Sequence, residues 1–214
     1  MKYFLWLLLL AAATTTTAQK SKPPVVYQKA ISMSPLALAD VDHTLLLTGE
    51  YRFNSKLALV TDVGYIFASD YISETKRTWG FNIRPSLRMY HGKRNKGYLQ
   101  AQAFYKMATY TLHDWVGKDC VNGVPAYEQE MDFDYRKKVV GFNIIAGTLL
   151  PLSRDNKWFI DLYGGLGFRH KTHRMVDEAN GCYNLNSGSF LDLYNDEMTT
   201  LSLPMGVRIT YVLQ

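Results

Sequence analysis

Hydrophobic and polar residues alternate along most of this chain with a period of two. Such a period is typical of β-strands that have one apolar and one polar face, and no segment shows the spacing of an amphipathic helix. Near the end of the chain, Leu203, Val207 and Tyr211 share one face, whereas Gly206 and Arg208 lie on the other. The alternation predicts an all-β fold with eight strands, at 28–38, 44–53, 57–67, 78–90, 97–111, 139–150, 158–170 and 199–213.

The lengths of these strands and of their connections favour a transmembrane barrel. A tilted strand needs roughly 9–11 residues to cross a bilayer, whereas strands of soluble proteins most often have roughly 5–6. After the second strand, short and longer connections alternate, at 54–56, 68–77, 91–96, 112–138, 151–157 and 171–198. This alternation is typical of an even-stranded, antiparallel, up-and-down outer-membrane barrel. The first strand is the least regular, because Pro35 interrupts it.

The beginning of the chain predicts a cleaved signal peptide. Lys2 precedes an apolar run at 4–13, and the small residues at 16–18 resemble a cleavage site. A transmembrane anchor is the alternative, but the run is short for a helical span, which needs roughly 20 residues. The predicted organisation is a signal peptide, a short leader and a barrel, at 1–18, 19–27 and 28–214.

Composition and charge support an exported β protein. Aromatic residues make up 14% of the chain, which favours β structure, and 47% hydrophobic residues exclude a disordered chain. The formal net charge is +5, but the lysines and arginines are scattered and no dense basic cluster occurs. We therefore expect no nucleic-acid partner.

Alternation alone does not determine which face of the strands lies inside. A soluble lipocalin-like barrel buries its apolar face around a ligand, whereas a membrane barrel turns that face outward. The polar face here is rich in small polar residues and glycine, and aromatic residues of the apolar face gather near strand ends, both of which favour the membrane. The predicted interfacial girdle consists of Phe53, Phe67, Trp79, Trp158, Phe168 and Tyr211.

Isolated charges on the polar face predict an ionic network inside the barrel. The residues concerned are Glu50, Arg52, Asp62, Arg84, Arg88, Lys106, Asp161, Arg169 and Arg208. An arginine or lysine on the lipid face costs about 2–4 kcal/mol at the midplane, so their common placement on one face is informative. Eight strands leave an interior that side chains can fill, and we expect a filled network rather than an open pore or an ion pathway.

Several stretches resemble a known family. They are Gly49–Phe53, Arg84–Tyr90, Gly97–Ala101, Phe159–Phe168 and Gly206–Tyr211. They are similar to the small eight-stranded outer-membrane barrels of the OmpX and OmpA transmembrane-domain type, and more closely to uncharacterised outer-membrane barrels of Bacteroidota. The resemblance implies a place in the cell outer membrane, contact with outer-membrane lipid and lipopolysaccharide, and insertion by barrel-assembly machinery. It implies no catalytic residue.

The two cysteines predict a disulfide on the outer side of the barrel. Cys120 and Cys182 fall in the two longest connections, which leave the same end of the barrel. A bond between them fits an exported protein, and two free thiols are the alternative.

His170 and His173 do not indicate a metal site, because side chains three apart on a strand point to opposite faces. We expect no metal and no cofactor.

The long connections at 112–138 and 171–198 carry aromatic and acidic residues and predict a surface that binds a protein or glycan. Alternatively, the strands extend beyond the membrane and these aromatics pack on one another. The predicted function is a structural or surface-interaction role. An outer-membrane lipid-modifying enzyme that uses His113, Asp114 and a serine such as Ser187 or Ser189 is an alternative, as is a soluble barrel with an apolar ligand.

Overall fold

The computed structural model describes residues 27–72, 75–92, 95–122, 124–176 and 197–213. Its strands are β1 (Lys29–Met33), β2 (Asp42–Arg52), β3 (Leu57–Ser69), β4 (Thr75–His91), β5 (Gly97–Lys118), β6 (Tyr127–Pro151), β7 (Trp158–Met175), β8 (Glu197–Ser202) and β9 (Met205–Val212). A short 3-10 helix, Pro35–Ala39, joins β1 to β2. Among the described residues no helix is long and apolar enough to cross a membrane. The predicted signal peptide lies outside the described residues.

The strands form one antiparallel sheet that closes on itself. Its order is β6-β5-β4-β3-β2-β1-β9-β7-β8, and β6 also pairs with β7, which closes a ring of eight strands made of β1–β7 and β9. The predicted strand at 199–213 is divided into β8 and β9 around Pro204, which has no N–H to donate to the ladder. The prediction of an all-β, antiparallel ring of eight strands is confirmed.

Two strands are much longer than predicted. Pairing between β5 and β6 continues from Gly97 opposite Thr148 as far as Lys118 opposite Tyr127. The prediction of a connection at 112–138 was therefore wrong, since only about the middle of that range is a turn. The period of two continues there, but the outward face changes from apolar to charged, so the pattern no longer resembles that of the other strands. We call residues 107–118 and 127–138, with the turn between them, the outer hairpin.

The first strand is shorter than predicted. It ends at Met33, and Pro35 begins the 3-10 helix rather than a continuation of the strand. A proline cannot donate to a sheet ladder, and its fixed φ suits the first turn of a helix. The chain therefore leaves the ring before it reaches β2.

The apolar faces of the strands point away from the interior of the ring. Leu47, Val63 and Leu166 are at least half exposed on the outside, whereas Arg88 and Arg208 are 2% and 1% exposed on the inside. The interior also holds two apolar clusters. The lower cluster, at the end with the short connections, includes Tyr90, Tyr98 and Phe159. The upper cluster, at the end with the outer hairpin, includes Tyr110, Leu112, Val116, Phe133 and Tyr135.

Glycines allow β6 and β7 to lie close together. Gly165 stands opposite Ile145, and a Cβ atom at Gly165 would lie 2.2 Å from the carbonyl oxygen of Ile144. A Cβ atom at Gly167, on the same face, would lie 2.1 Å from the Phe142 carbonyl oxygen. Both distances are below any real contact, so these positions require the absence of a side chain where the ring closes.

We predict that Gly165→Ala destabilises the ring by about 1–3 kcal/mol, the usual cost of forcing an extra carbon into a packed site. The neighbouring change Gly164→Ala is a matched control, because a Cβ there meets nothing within 4 Å. Urea unfolding of the detergent-solubilised protein, followed by circular dichroism, measures both. Equal stability of the two variants would contradict the close-approach argument.

Candidate functional site

The interior of the ring contains a buried ionic network at the level of the lower cluster. Its six members, which we call the lower network, are Glu50, Arg52, Asp62, Arg88, Asp161 and Arg208. All six are at most 7% exposed. Three are cations and three are carboxylates, so the lower network is neutral when every member is ionised. Buried charges are tolerated only when they are paired, and the contacts show how this pairing is achieved.

Arg88 on β4 joins two carboxylates from different strands. Its Nη1 atom donates to Glu50 Oε2 at 3.0 Å and its Nη2 atom to Asp161 Oδ2 at 3.2 Å. Its Nε atom donates to Gln100 at 2.9 Å. The guanidinium also lies 3.9 Å from the centre of the Tyr98 ring. Because its charge is shared by two anions and one ring face, Arg88 holds β2, β4 and β7 together across the interior.

Arg208 on β9 extends the same chain of charges. It donates to Asp161 Oδ2 at 3.2 Å and to Asp62 Oδ2 at 3.0 Å. Thr48 donates to the other oxygen of Asp62 at 2.8 Å. Asp161 is therefore shared by two arginines, and the carboxylates of β3 and β7 are both occupied by hydrogen-bond donors.

Tyrosines complete the lower network. The Arg52 guanidinium lies between the rings of Tyr27 and Tyr90, at 3.7 and 3.6 Å from their centres. Its Nε atom donates to Glu50 Oε1 at 2.9 Å, and the Tyr90 hydroxyl donates to the same oxygen at 2.6 Å. Rings on both faces shield the cation from water and also fill the lower part of the ring.

A second group of charges lies nearer the outer hairpin. Asp42 is buried and pairs with Lys106 Nζ at 2.7 Å and Lys137 Nζ at 2.9 Å. Its other oxygen accepts hydrogen bonds from Ser69 at 2.6 Å and Tyr110 at 2.9 Å. The sequence analysis missed Asp42 and Lys137, because it assigned both to connections. Asp42 is an even number of residues from Glu50 on β2, and Lys137 is an even number from Asn143 on β6. Since side chains two apart on a strand point to the same face, this spacing was the signal that both residues face the interior.

Two of the predicted interior charges, Arg84 and Arg169, belong to neither of these groups of ion pairs. Arg84 is half-buried and its Nε atom donates to Asn82 Oδ1 at 3.2 Å. Arg169 is exposed and its Nε atom donates to Thr200 Oγ1 at 3.0 Å. Neither pairs with a carboxylate within the described part of the chain. Together with Lys106, Lys137 and Lys171, these arginines line a cavity of about 660 Å³, which we call the upper cavity.

The outer hairpin buries one face and exposes the other. Phe133 and Tyr135 are buried in the upper cluster, so these aromatics of the predicted loop pack inside the fold. On the outward face, Asp132 pairs with Lys76 at 2.6 Å, and His113 lies beside Asp132 at 2.5 Å. These hydrogen bonds lower the pKa of the exposed Asp132 carboxyl below its ordinary value. The pairing therefore persists at neutral pH and is lost as the pH falls through that lowered pKa.

Of the residues of the enzyme alternative, the structure describes His113 and Asp114. His113 is held by Asp132 and, at 3.4 Å, by Glu130 on the exposed face of the hairpin. Ser187 and Ser189 lie outside the described residues. A hydroxyl nucleophile has to lie within hydrogen-bond reach of its base, and none is placed beside His113 in the part of the chain described.

The remaining predicted residues have clear positions. Phe53, Phe67, Trp79, Trp158 and Phe168 are exposed on the outside of the ring. Tyr211 is half-buried and packs against Trp158, with 4.8 Å between ring centres.

The predicted histidine and cysteine sites differ in how far the structure describes them. His170 contacts Glu197 at 2.9 Å, whereas His173 packs against the rings of Tyr71 and Tyr135. Within the described ranges no group of three or more His, Cys, Asp or Glu residues could hold a metal ion. Cys182 lies outside these ranges, so the disulfide with Cys120 stays a prediction.

We predict that Arg88→Met destabilises the protein by about 3–5 kcal/mol, because removing one partner leaves the carboxylates of Glu50 and Asp161 buried without their cation. Arg154→Met removes an arginine from an exposed turn and is the matched control, for which we expect no measurable change. Urea unfolding monitored by tyrosine and tryptophan fluorescence compares the two. A loss for Arg88→Met no larger than that of the control would show that the lower network is not essential to the fold.

Comparison with known proteins leaves the family open. No family model matches this chain, and neither the curated proteins nor the solved structures contain a match to it. The resemblance to small outer-membrane barrels therefore stays a prediction.

Proposed function

We propose that this chain is an exported outer-membrane β-barrel protein with a structural or surface-interaction role. The ring crosses the bilayer, and the outer hairpin lies on the cell surface. Residues 1–18 direct export, and barrel-assembly machinery inserts the mature chain. The observation that carries the proposal is the polarity of the ring, which is apolar outside and ionic inside.

The exterior of the ring suits lipid rather than water. Large apolar side chains such as Leu47, Val63 and Leu166 follow one another around the outside and along each strand. Burying one such side chain is worth about 1.5–3 kcal/mol, so leaving the whole band in water would be costly. A soluble barrel that carries an apolar ligand would place these residues inside, where this ring has arginines and carboxylates instead.

The height of the apolar band agrees with a bilayer. On β3 it extends from Leu57 to Phe67. Eleven residues rise about 33 Å along a strand, and a tilt of roughly 40° reduces this to about 25 Å, the height of the band in outer-membrane barrels. The exposed aromatic residues Phe53 and Trp158 lie at one edge of the band, and Phe67, Trp79 and Phe168 lie at the other. Aromatic rings at both edges are expected where headgroups meet hydrocarbon.

The tip of the outer hairpin supports the surface-interaction role. Val121 and Val124, which pair across the turn, are both exposed, as are Trp115 and Tyr127 on the adjoining strands. Exposed aromatics on a rigid two-stranded support are typical of sites that bind proteins or glycans. The buried upper cluster anchors the base of the hairpin, so its tip is held away from the ring.

If the ring is inserted in the membrane, the same valine-to-arginine change should destabilise the protein in the apolar band but not at the hairpin tip. Val63→Arg places a cation near the middle of the apolar band, where it costs about 2–4 kcal/mol in a bilayer. Val121→Arg places one at the exposed hairpin tip, where we expect no loss. The measurement is carbonate-resistant recovery from the outer-membrane fraction, together with the change in gel mobility between unboiled and boiled samples in SDS.

We expect the wild-type chain and Val121→Arg to be recovered from membranes and to shift on boiling, and Val63→Arg to lose most of the folded band. Recovery of the wild-type chain in the soluble fraction without a shift would contradict the proposal. The same conclusion would follow if both arginine variants behaved like the wild type.

The hairpin tip predicts where partner binding is lost. We expect the double change Trp115→Ser and Tyr127→Ser to abolish binding of the folded protein to arrays of glycans and surface proteins, because it removes the exposed rings without touching the upper cluster. Lys56→Ser, at the other end of the ring, is the control and should keep full binding. Unchanged binding of the double variant would place any partner site elsewhere.

A further inference from the structure

The ring wall is incomplete above the end of β1. Strand β1 pairs with residues 47–51 of β2 on one side and with residues 209–212 of β9 on the other. Residues 42–46 of β2 and 205–208 of β9 continue past the end of β1, and in the described chain no strand pairs with them on the sides that face each other. The two strands therefore enclose an opening in the wall, which we call the side opening.

The 3-10 helix lies at the side opening in contact with both β2 and β9, but it is not part of the sheet. Its connection to β2 is a hydrogen bond from the Ser34 N–H to the Leu46 carbonyl at 3.2 Å, with a further contact of 2.7 Å between His43 Nδ1 and the Leu38 carbonyl. These contacts replace the continuous ladder that joins the other strands. Leu36 and Leu38 of the helix are exposed, and the helix adds apolar surface at the opening.

Residues that border the side opening also line the upper cavity. Its outer lining is apolar and includes Leu36, Val41, Leu203 and Met205, all of which are more than half exposed. Met205 stands opposite Gly164 and Leu201 opposite Phe168, so the opening lies between the middle of the apolar band and its upper aromatic edge. In a membrane this is the depth of the outer leaflet just below its headgroups.

The inner lining of the cavity carries more cations than carboxylates. Among the described lining residues the cations are Arg84, Lys106, Lys137, Arg169 and Lys171, and the carboxylates are Asp40, Asp42 and Asp70. All three carboxylates are engaged, since Asp42 pairs with two of the lysines, Asp70 lies 3.3 Å from His43, and Asp40 accepts the Val41 N–H at 2.9 Å. The guanidinium groups of Arg84 and Arg169 bond only to neutral oxygens within the described residues.

We propose that the side opening binds one anionic, phosphate-bearing lipid of the surrounding leaflet. Its phosphate enters the upper cavity and pairs with Arg84 and Arg169, and its acyl chains stay outside against Leu36, Leu203 and Met205. An arginine matches two phosphate oxygens with its planar fork, and a low-dielectric surrounding strengthens the pairing. Apolar residues at the entrance and cations in the interior match the acyl chains and the phosphate of a lipid. A soluble anion would gain no binding free energy from the apolar entrance.

This inference rests on the proposed membrane insertion and goes beyond it. A volume of about 660 Å³ is sufficient for a lipid headgroup but not for a whole lipid. The site is separate from the tip of the outer hairpin and from the lower network, which is neutral. It gives a function to Arg84 and Arg169, which contact no carboxylate among the described residues.

The test is native mass spectrometry of the full mature chain, purified from membranes in detergent and incubated with phosphatidylglycerol or with phosphatidylcholine of the same acyl chains. We expect the wild type to retain one phosphatidylglycerol with an affinity at least about tenfold higher than for phosphatidylcholine. The double variant Arg84→Gln and Arg169→Gln should lose about tenfold or more of the affinity for phosphatidylglycerol. The control Lys56→Gln and Arg154→Gln, which removes the same charge from exposed turns, should retain it.

Other outcomes would overturn the proposal. Equal retention of the two lipids, or unchanged retention by the arginine variant, would exclude the site. Displacement of the lipid by an equal concentration of inorganic phosphate would show a site for soluble anions instead. If the double variant does not fold, Arg169→Gln alone replaces it, because Arg169 is exposed and outside the lower network.

The gel-mobility shift on boiling is recorded for every sample, and it separates the two proposals. A wild-type chain that is recovered from membranes and shifts on boiling but shows no lipid preference contradicts the lipid site alone. A wild-type chain found in the soluble fraction without a shift contradicts membrane insertion, and the lipid site with it.

Discussion

The pairing of buried arginines with buried carboxylates across the ring is the interaction on which the rest of the structure depends. Arg88 and Arg208 share Asp161, and each binds one further carboxylate, so β2, β3, β4, β7 and β9 are joined through their side chains. Without this pairing, each charge would be buried alone at a cost that no small domain could offset. With it, the polar face of every strand can point inward, and the apolar face is free to cover the outside.

The interior of the ring has two levels that differ in charge and in packing. The lower network is neutral and packed with tyrosine rings, which makes it a structural element that closes the ring. The upper cavity has more cations than carboxylates among its described lining residues and lies beside the wall where β1 ends early. The same inward polarity therefore stabilises the fold at one level and leaves an excess of cations at the other.

The outer hairpin follows from a different constraint. Beyond the apolar band its outward face is charged, with Lys76, His113 and Asp132 in contact, while its inward face remains apolar and buries the upper cluster. The backbone hydrogen bonds of the ring thus continue into the hairpin, but the hairpin has a charged outer face and an apolar inner face, as sheets of soluble proteins do. This combination supports an exposed tip without a separate domain.

Local alternation by itself determined the strands and which residues share a face. The order of polar and apolar positions placed Glu50, Arg88, Asp161 and Arg208 on one side, because neighbouring side chains of a strand always point in opposite directions. Only the tertiary structure decided which face points inward and which charges form pairs. Asp62 and Arg208, for example, pair although they are 146 residues apart in the sequence. It also decided where β1 ends, how far the hairpin extends, and that Asp42 and Lys137 lie inside. The period of two is compatible with these outcomes but does not decide them, because strand register and ring closure are set by contacts between distant segments.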